Sequence, residues 1–321
     1  MSSLALLFPG QGAQRPGMGA ALRDTDAGVL DAHLRRAAAA SGLPIDRYCA
    51  DGPEDVLVRT DVAQPALLAV SLALADVARA VGLRPRALAG HSLGEYTAAV
   101  AAGALAPGDG AALVAERGRL MAAAQRERPG AMAAVLGPAP EAVEALCART
   151  AGTDVLAPAN FNAPTQTVVS GDEAAVERLL AAVGRMDGAR AIRLPVGAAF
   201  HGPLMRPVQE RVAAAAAALD WRDPEAPVAG NASGRLVRGG AAVREALVAQ
   251  IAAPVRWIAC VRALVEDGCR HFLQLGPGGV LAALVRQIAP AADVATASSR
   301  AEIEAFAAAR PHLIDPDEED T

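Results

Sequence analysis

The chain opens on a short apolar run, Leu-Ala-Leu-Leu-Phe at positions 4–8, that stops at Pro9-Gly10. A run of this length ending in a turn pair predicts a strand buried on both faces. Helical spacing of apolar positions follows at 17–40, 53–58 and 65–81. A second short strand, 86–90, leads into a turn at His91-Ser92 and a helix at 94–104, and another helix covers 109–126. Strands alternating with helices predict an α/β fold with a parallel sheet covered on both faces.

From 129 to 196 the pattern changes. A strand at 131–136, a helix at 140–149, strands at 154–159 and 165–170, a helix at 172–184 and a strand at 189–194 give the order βαββαβ. That is the ferredoxin-like unit, here read as a small lobe of residues 129–196 inserted into a large lobe made of residues 1–128 and 197–310. The large lobe resumes with helices at 203–219 and 241–251 and a strand at 270–275 that runs into Gly-Pro-Gly-Gly. Residues 311–321 read as an acidic tail.

Composition narrows the class. Of 321 residues, 53% are hydrophobic and 20% charged, which suits a packed globular chain. Aromatics are only 3%, so Ala, Val and Leu must fill the core, and every basic residue is Arg. The net charge of −5 comes largely from Asp315, Asp317, Glu318, Glu319 and Asp320. A near-neutral body carries no nucleic-acid footprint. Cys49, Cys147, Cys260 and Cys269 form no CxxC pair and are expected to be free thiols. The N-terminus lacks the basic region of a signal peptide, and no segment is read as a membrane span of about 20 apolar residues. The expected setting is the cytoplasm, and the expected state a monomer.

Gly90-His91-Ser92-Leu93-Gly94 is a GxSxG between a strand and a helix. In that setting glycines let the backbone crowd into a strained turn that lifts a serine hydroxyl into the open. The other reading is an ordinary βα turn with Ser92 as helix cap. Pro9-Gly10-Gln11-Gly12 also follows an apolar strand, and the Gln11 backbone N–H is a candidate partner for that of Leu93 in a two-donor oxyanion hole. A plain turn is the alternative. A phosphate loop does not fit, because there is no GxxxxGK[ST] and no Lys.

A nucleophilic serine needs a base. His91 adjoins Ser92 but should leave the turn in another direction. His33 lies in a polar helix, His312 in the tail, and His271 in an apolar strand. His201 sits in a loop after a strand, just ahead of a helix, where α/β proteins place chemistry. No acid stands out as a third member. The carbonyl of Gln250, at a helix end that Pro254 breaks, is a candidate acceptor for the His201 Nδ1–H.

The 109–126 helix carries an anomaly. At 100° per residue Leu113, Leu120, Met121 and Ala124 form one apolar stripe, and Arg117 lies near its middle. A buried Arg needs an anion. Either it snorkels or pairs with a structural acid, or it holds a substrate carboxylate through its two-donor fork.

Taken together, FPGQGAQ at 8–14, GHSLGEY at 90–96, Arg117-Gly118, NFNAPTQTVVSG at 160–171, Phe200-His201 and Gln250 ahead of APVRW resemble malonyl-CoA:acyl carrier protein transacylases, and equally the acyltransferase domains of polyketide and fatty acid synthases. The ordered match spans about 280 residues. It implies an α/β-hydrolase-like large lobe with a ferredoxin-like small lobe. The implied reaction is ping-pong transfer of malonyl from malonyl-CoA to an acyl carrier protein, with no cofactor and no metal. It assigns Ser92 as nucleophile, His201 as base, Gln11 and Leu93 as oxyanion donors, Arg117 as carboxylate binder and Gln250 as the His-orienting carbonyl. Asn160 and Asn162 resemble cleft residues. Bulky Leu93 and Phe200 resemble malonyl-selective members and leave little room for an α-methyl group. The Ala198-Ala199-Phe200 stretch also resembles synthase-type enzymes, so a trans-acting polyketide acyltransferase using a modified extender unit is a further expectation. A serine hydrolase that clears carrier proteins is the rival. For a carrier protein, Arg185, Arg190 and Arg193 are candidate contacts, with scattered surface arginines as the alternative.

Overall fold

The computed structural model describes residues 3–314. In chain order its strands are β1 (Leu4–Phe8), β2 (Ala87–Gly90), β3 (Ala131–Leu136), β4 (Leu156–Ala163), β5 (Gln166–Gly171), β6 (Arg190–Arg193), β7 (Val228–Gly230), β8 (Arg235–Val237), β9 (His271–Leu275) and β10 (Asp293–Ala297). Successive side chains of a strand point to opposite faces, and β1 shows it. Leu4, Leu6 and Phe8 enter one core, while Ala5 and Leu7 enter another. The first core is closed by helices Ala20–Ser41, Thr60–Ala80 and Pro107–Glu127. The second is closed by Trp257–Glu266 and Val280–Ile288. Both faces of the sheet are therefore dry, as the continuous apolar run predicts.

The large sheet has the order β10-β9-β1-β2-β7-β8 and is parallel except where β8 returns antiparallel to β7. The carboxyl ends of β1, β2 and β7 emerge side by side, since Phe8 is in register with Gly90 and Ala89 with Ala229. The second sheet is antiparallel with the order β4-β5-β3-β6, the ferredoxin-like arrangement. Along β3, Ala131, Ala133 and Val135 face helices Pro140–Thr150 and Glu173–Val183, whereas Met132 and Ala134 join the core that holds Phe200. The small lobe thus lies on the large one with its helix-free face. Its edge is also tied down: Phe161 N–H donates to Val255 O and Val255 N–H to Ala159 O, both at 2.8 Å.

Several expectations change. Pro65 is not the first residue of its helix, which starts at Thr60. The β7–β8 hairpin, helices Ile45–Asp51, Trp257–Glu266, Val280–Ile288 and Arg300–Ala308, and strand β10 were not expected. Helix Thr60–Ala80 is long and apolar enough to cross a membrane, contrary to the sequence reading, but 83% of its apolar window is buried within the protein. His33, in the helix read as polar, is buried and bonds Asp76 at 2.7 Å. His271 is only half-buried and bonds Asp293. The acidic tail starts later than 311: Leu313 is buried and Ile314 bridges Leu83. Its acids, from Asp315 on, lie outside the described residues.

Candidate active site

The GxSxG turn is built by close approach. A Cβ on Gly94 would stand 2.0 Å from the Phe8 carbonyl oxygen, and one on Gly90 would stand 1.9 Å from Gly94. Only hydrogen fits at these two positions, so the helix Leu93–Ala101 can start directly against the sheet. Ser92 pays for this geometry with φ 54° and ψ −109°, a conformation that costs a residue with a side chain about 1–3 kcal/mol. Such strain persists only where the surroundings over-determine it, and here it presents the hydroxyl to a second strained residue.

That residue is His201, at φ 57° and buried. Its Nε2 lies 2.7 Å from Ser92 Oγ and its Nδ1 2.9 Å from the Gln250 carbonyl oxygen. A carbonyl can only accept, so Nδ1 carries the proton and Nε2 presents its lone pair to the serine. Gln250 caps the C-terminus of helix Gly240–Ala249, where carbonyls lack helical partners. Burial, with the Arg117 charge adding to it, pushes the His201 pKa down to about 3, so the ring is neutral in the resting protein.

The consequence for pH is testable. An ordinary His, with pKa about 6.5, would be mostly protonated at pH 5.5. We expect serine acylation, followed as kcat/KM, to stay within about twofold from pH 7.5 to 5.5. A tenfold fall with a midpoint near 6.5 would show that the ring titrates normally. The same depressed pKa works against stability in acid. The unfolded chain binds a proton that the folded site refuses, so this part of the stability is intact above about pH 6.5 and is lost as pH falls from there toward 3.

Arg117 is 1% exposed. Its Nη1 donates to Gln64 Oε1 at 2.6 Å, and its Nη2 to Gln250 Oε1 at 3.0 Å and to Ser92 Oγ at 3.1 Å. The Tyr96 ring lies 5.0 Å from the guanidinium carbon. Nε has no partner, and among the described residues no carboxylate pairs with this cation. Gly118 explains how it gets there: its Cβ would meet Thr60 O at 3.0 Å, so its absence lets the two helices close and brings Arg117 to Gln64.

Gln11 follows β1, and its side chain donates to Thr60 Oγ1 at 3.2 Å. Gly10 packs on the His91 carbonyl, 2.4 Å from where a Cβ would sit, which seats this turn beside the serine turn. No described residue accepts the backbone N–H of Gln11 or of Leu93. Both therefore remain available as donors. Asn162, on β4, bonds His91 Nε2 at 2.8 Å, so His91 does turn away from Ser92. Asn160 is buried on the same strand, at its bridge to Val255. Phe200 is buried in the core that includes Leu93. Of the candidate surface arginines, Arg193 is already paired with Glu173 and Glu177.

Three buried polar residues around Ser92 were not anticipated: Gln64, Asn231 and Glu95. Asn231 Oδ1 accepts the Ser92 N–H at 2.7 Å. Glu95 Oε2 accepts from Asn231 N–H at 3.1 Å and from Gln250 Nε2 at 3.0 Å. Burial pushes the Glu95 carboxyl up to about 8. The only signal for Glu95 was a charged residue in the first turns of an otherwise apolar helix.

The acyl transferase domain family matches residues 5–303. The malonyl CoA-acyl carrier protein transacylase of Escherichia coli K12 is 38% identical over 312 residues, 96% of this chain and 99% of that protein. The polyketide biosynthesis protein ThaF of Burkholderia thailandensis is 41% identical over 296 residues, 90% of this chain and 24% of that protein. The crystal structure of the malonyl-CoA:acyl carrier protein transacylase of Xanthomonas oryzae superposes with TM-score 0.92 at 41% identity, covering 98% of this chain and 99% of that one. A malonyl-transacylase solved in complex with a type II PKS acyl-carrier protein superposes with TM-score 0.89 at 36% identity, covering 94% and 98%. A neutral imidazole on a strained serine, beside a buried cation with no acid of its own, is thus set in the fold of known malonyl transferases, and the chain belongs to the malonyl-CoA:acyl carrier protein transacylase family.

Proposed function

We propose that the protein moves a malonyl group from coenzyme A onto Ser92 and from there to the phosphopantetheine thiol of an acyl carrier protein. One observation carries the reading: the same Oγ contacts His201 Nε2 at 2.7 Å and Arg117 Nη2 at 3.1 Å. A base on one side and a carboxylate fork on the other suit an acyl group whose carboxylate lies one carbon from its thioester carbonyl. A longer diacid would put its carbonyl out of the serine's reach.

His201 Nε2 takes the hydroxyl proton as Oγ bonds the thioester carbon, and the negative oxygen accepts from the Gln11 and Leu93 N–H groups. A donor so placed contributes about 3–4 kcal/mol to such a step. The C–S bond then breaks, and the leaving thiolate takes the proton from His201. The carrier thiol repeats the sequence in reverse. Thioester is exchanged for ester and back, so the chemistry requires neither energy input nor a cofactor or metal. Leu93 and Phe200 bound the acyl position and disfavour an α-methyl group, and Asn160 and Asn162 line the cleft. The acceptor is a carrier of fatty acid or of polyketide assembly, and a relative named for polyketide biosynthesis supports the second.

The test is transfer from malonyl-CoA to a phosphopantetheinylated carrier protein, read by intact-protein mass. Gain of one malonyl on the carrier is expected. Release of free malonate with no acylated carrier would instead identify an acyl hydrolase.

A further inference from the structure

The glycines of the serine turn permit its conformation but do not hold it. Ser92 remains at φ 54°, and a turn left to itself relaxes toward ordinary angles. Most of its neighbours cannot help: the His91 N–H is spent on Phe8 O, and the Gly94 N–H on His91 O. The Ser92 N–H and the Gly90 carbonyl face the other way, toward the residue that follows β7, the strand on the far side of β2.

That residue is Asn231, fully buried. Its side chain spans the turn, accepting from Ser92 N–H at 2.7 Å through Oδ1 and donating to Gly90 O at 2.8 Å through Nδ2. Its own backbone is fixed at both ends: the N–H donates to Glu95 Oε2 at 3.1 Å, and the carbonyl accepts from Arg256 N–H at 2.9 Å. The other side of Ser92 is held as well, since Gln250 Nε2 donates to Ser92 O at 2.8 Å and to Glu95 Oε2. A primary amide offers a donor and an acceptor side by side without carrying a charge into the interior.

We infer that Asn231 is the positioning residue of the serine nucleophile: its two-point clamp holds Ser92 in the strained conformation and, by occupying the Ser92 N–H, leaves that of Leu93 as the donor facing the substrate. The inference rests on reading Ser92 as the nucleophile. It assigns Asn231 to the acylation step and not to substrate binding, because Asn231 touches neither Arg117 nor Gln64.

The experiment compares the full-length wild type with Asn231→Ala and Asn231→Asp. It reads kcat and KM for malonyl-CoA, the malonyl-to-acetyl preference, and the rate of Ser92 labelling by a fluorophosphonate. Asn231→Ala leaves Ser92 N–H and Gly90 O unpaired in the interior and frees the turn. Misplacing a reacting group by about 1 Å costs roughly 10²-fold, so kcat and the labelling rate should each fall by about that factor. KM and the malonyl-to-acetyl preference should stay within about threefold of wild type, because the Arg117 fork is untouched. Asn231→Asp keeps the acceptor for Ser92 N–H; where its carboxyl is ionised it sets an oxygen against Gly90 O and should give a smaller loss of the same kind, and where burial keeps it protonated its O–H takes the place of the amide donor and the loss should vanish. The clamp is overturned by per-molecule kcat and labelling within twofold of wild type in a folded Asn231→Ala or, if that variant does not fold, in Asn231→Asp assayed where its carboxyl is ionised. A loss expressed only in KM does so too. If wild type labels on Ser92 yet takes no malonyl, the functional reading fails while the labelling rates still decide the clamp.

Discussion

Ser92→Ala should leave no acyl adduct on the protein after incubation with malonyl-CoA, and transfer to the carrier should fall by on the order of 10⁴-fold or more. The size follows from how the site is assembled. Oγ both donates to His201 Nε2 and accepts from Arg117 Nη2. Removing it therefore disables the base and the carboxylate site together, since neither has another route to the thioester carbon. The fold should survive. Ala fits the space of Ser, the glycines at 90 and 94 are unchanged, and the backbone bonds from Asn231 and Gln250 remain. Intact-protein mass on the purified variant checks both halves. A malonyl adduct at wild-type rate on Ser92→Ala would move the nucleophile elsewhere.

What the sequence made legible was local. The apolar runs of β1 and β2, the GxSxG between strand and helix, and Arg117 in an apolar stripe are patterns within a dozen residues, and all lie where periodicity places them. His201 could be reached by elimination, and the Gln250 carbonyl from a helix broken by Pro254, because helix ends leave carbonyls open. The partners that hold these groups were not legible. Asn231 meets Ser92 across 139 residues and Gln250 meets it across 158, so no spacing rule links them. The elements missed near the C-terminus fail for a different reason. β7 and β8 have three residues each, too few to show alternation. Helix Trp257–Glu266 buries Trp257, Cys260, Val261 and Leu264, a helical stripe that was there to be read. Helix Thr60–Ala80 begins ahead of the expected residue 65 and carries Pro65 inside it, where burial of nearly every side chain along the helix overrides the lost hydrogen bond.

Arg117→Ala should cut kcat/KM for malonyl-CoA by about 10²- to 10³-fold while changing that for acetyl-CoA by less than about tenfold. Arg117 lacks a carboxylate partner among the described residues. A cation taken wholly out of water costs several kcal/mol unless it is well paired. Here two neutral amides, Gln64 and Gln250, and the Tyr96 face offset only part of that. On the proposed function the deficit, largest in the empty site, is met when a substrate carboxylate arrives, and selectivity for diacids is the expected consequence. The nearest carboxyl cannot substitute, because Glu95 is turned to Asn231 and Gln250 and burial holds its pKa up to about 8. In Arg117→Ala the oxygens Gln64 Oε1 and Gln250 Oε1 lose their donor, at about 1–3 kcal/mol each, so rates must be compared well below the variant's unfolding temperature. Arg117→Lys keeps the charge but cannot span Gln64 and Gln250 with a planar fork, and should recover only part of the preference. Competition between malonyl- and acetyl-CoA for Ser92, scored by adduct mass, reads this directly. An unchanged malonyl share in Arg117→Ala would mean that the carboxylate is held elsewhere.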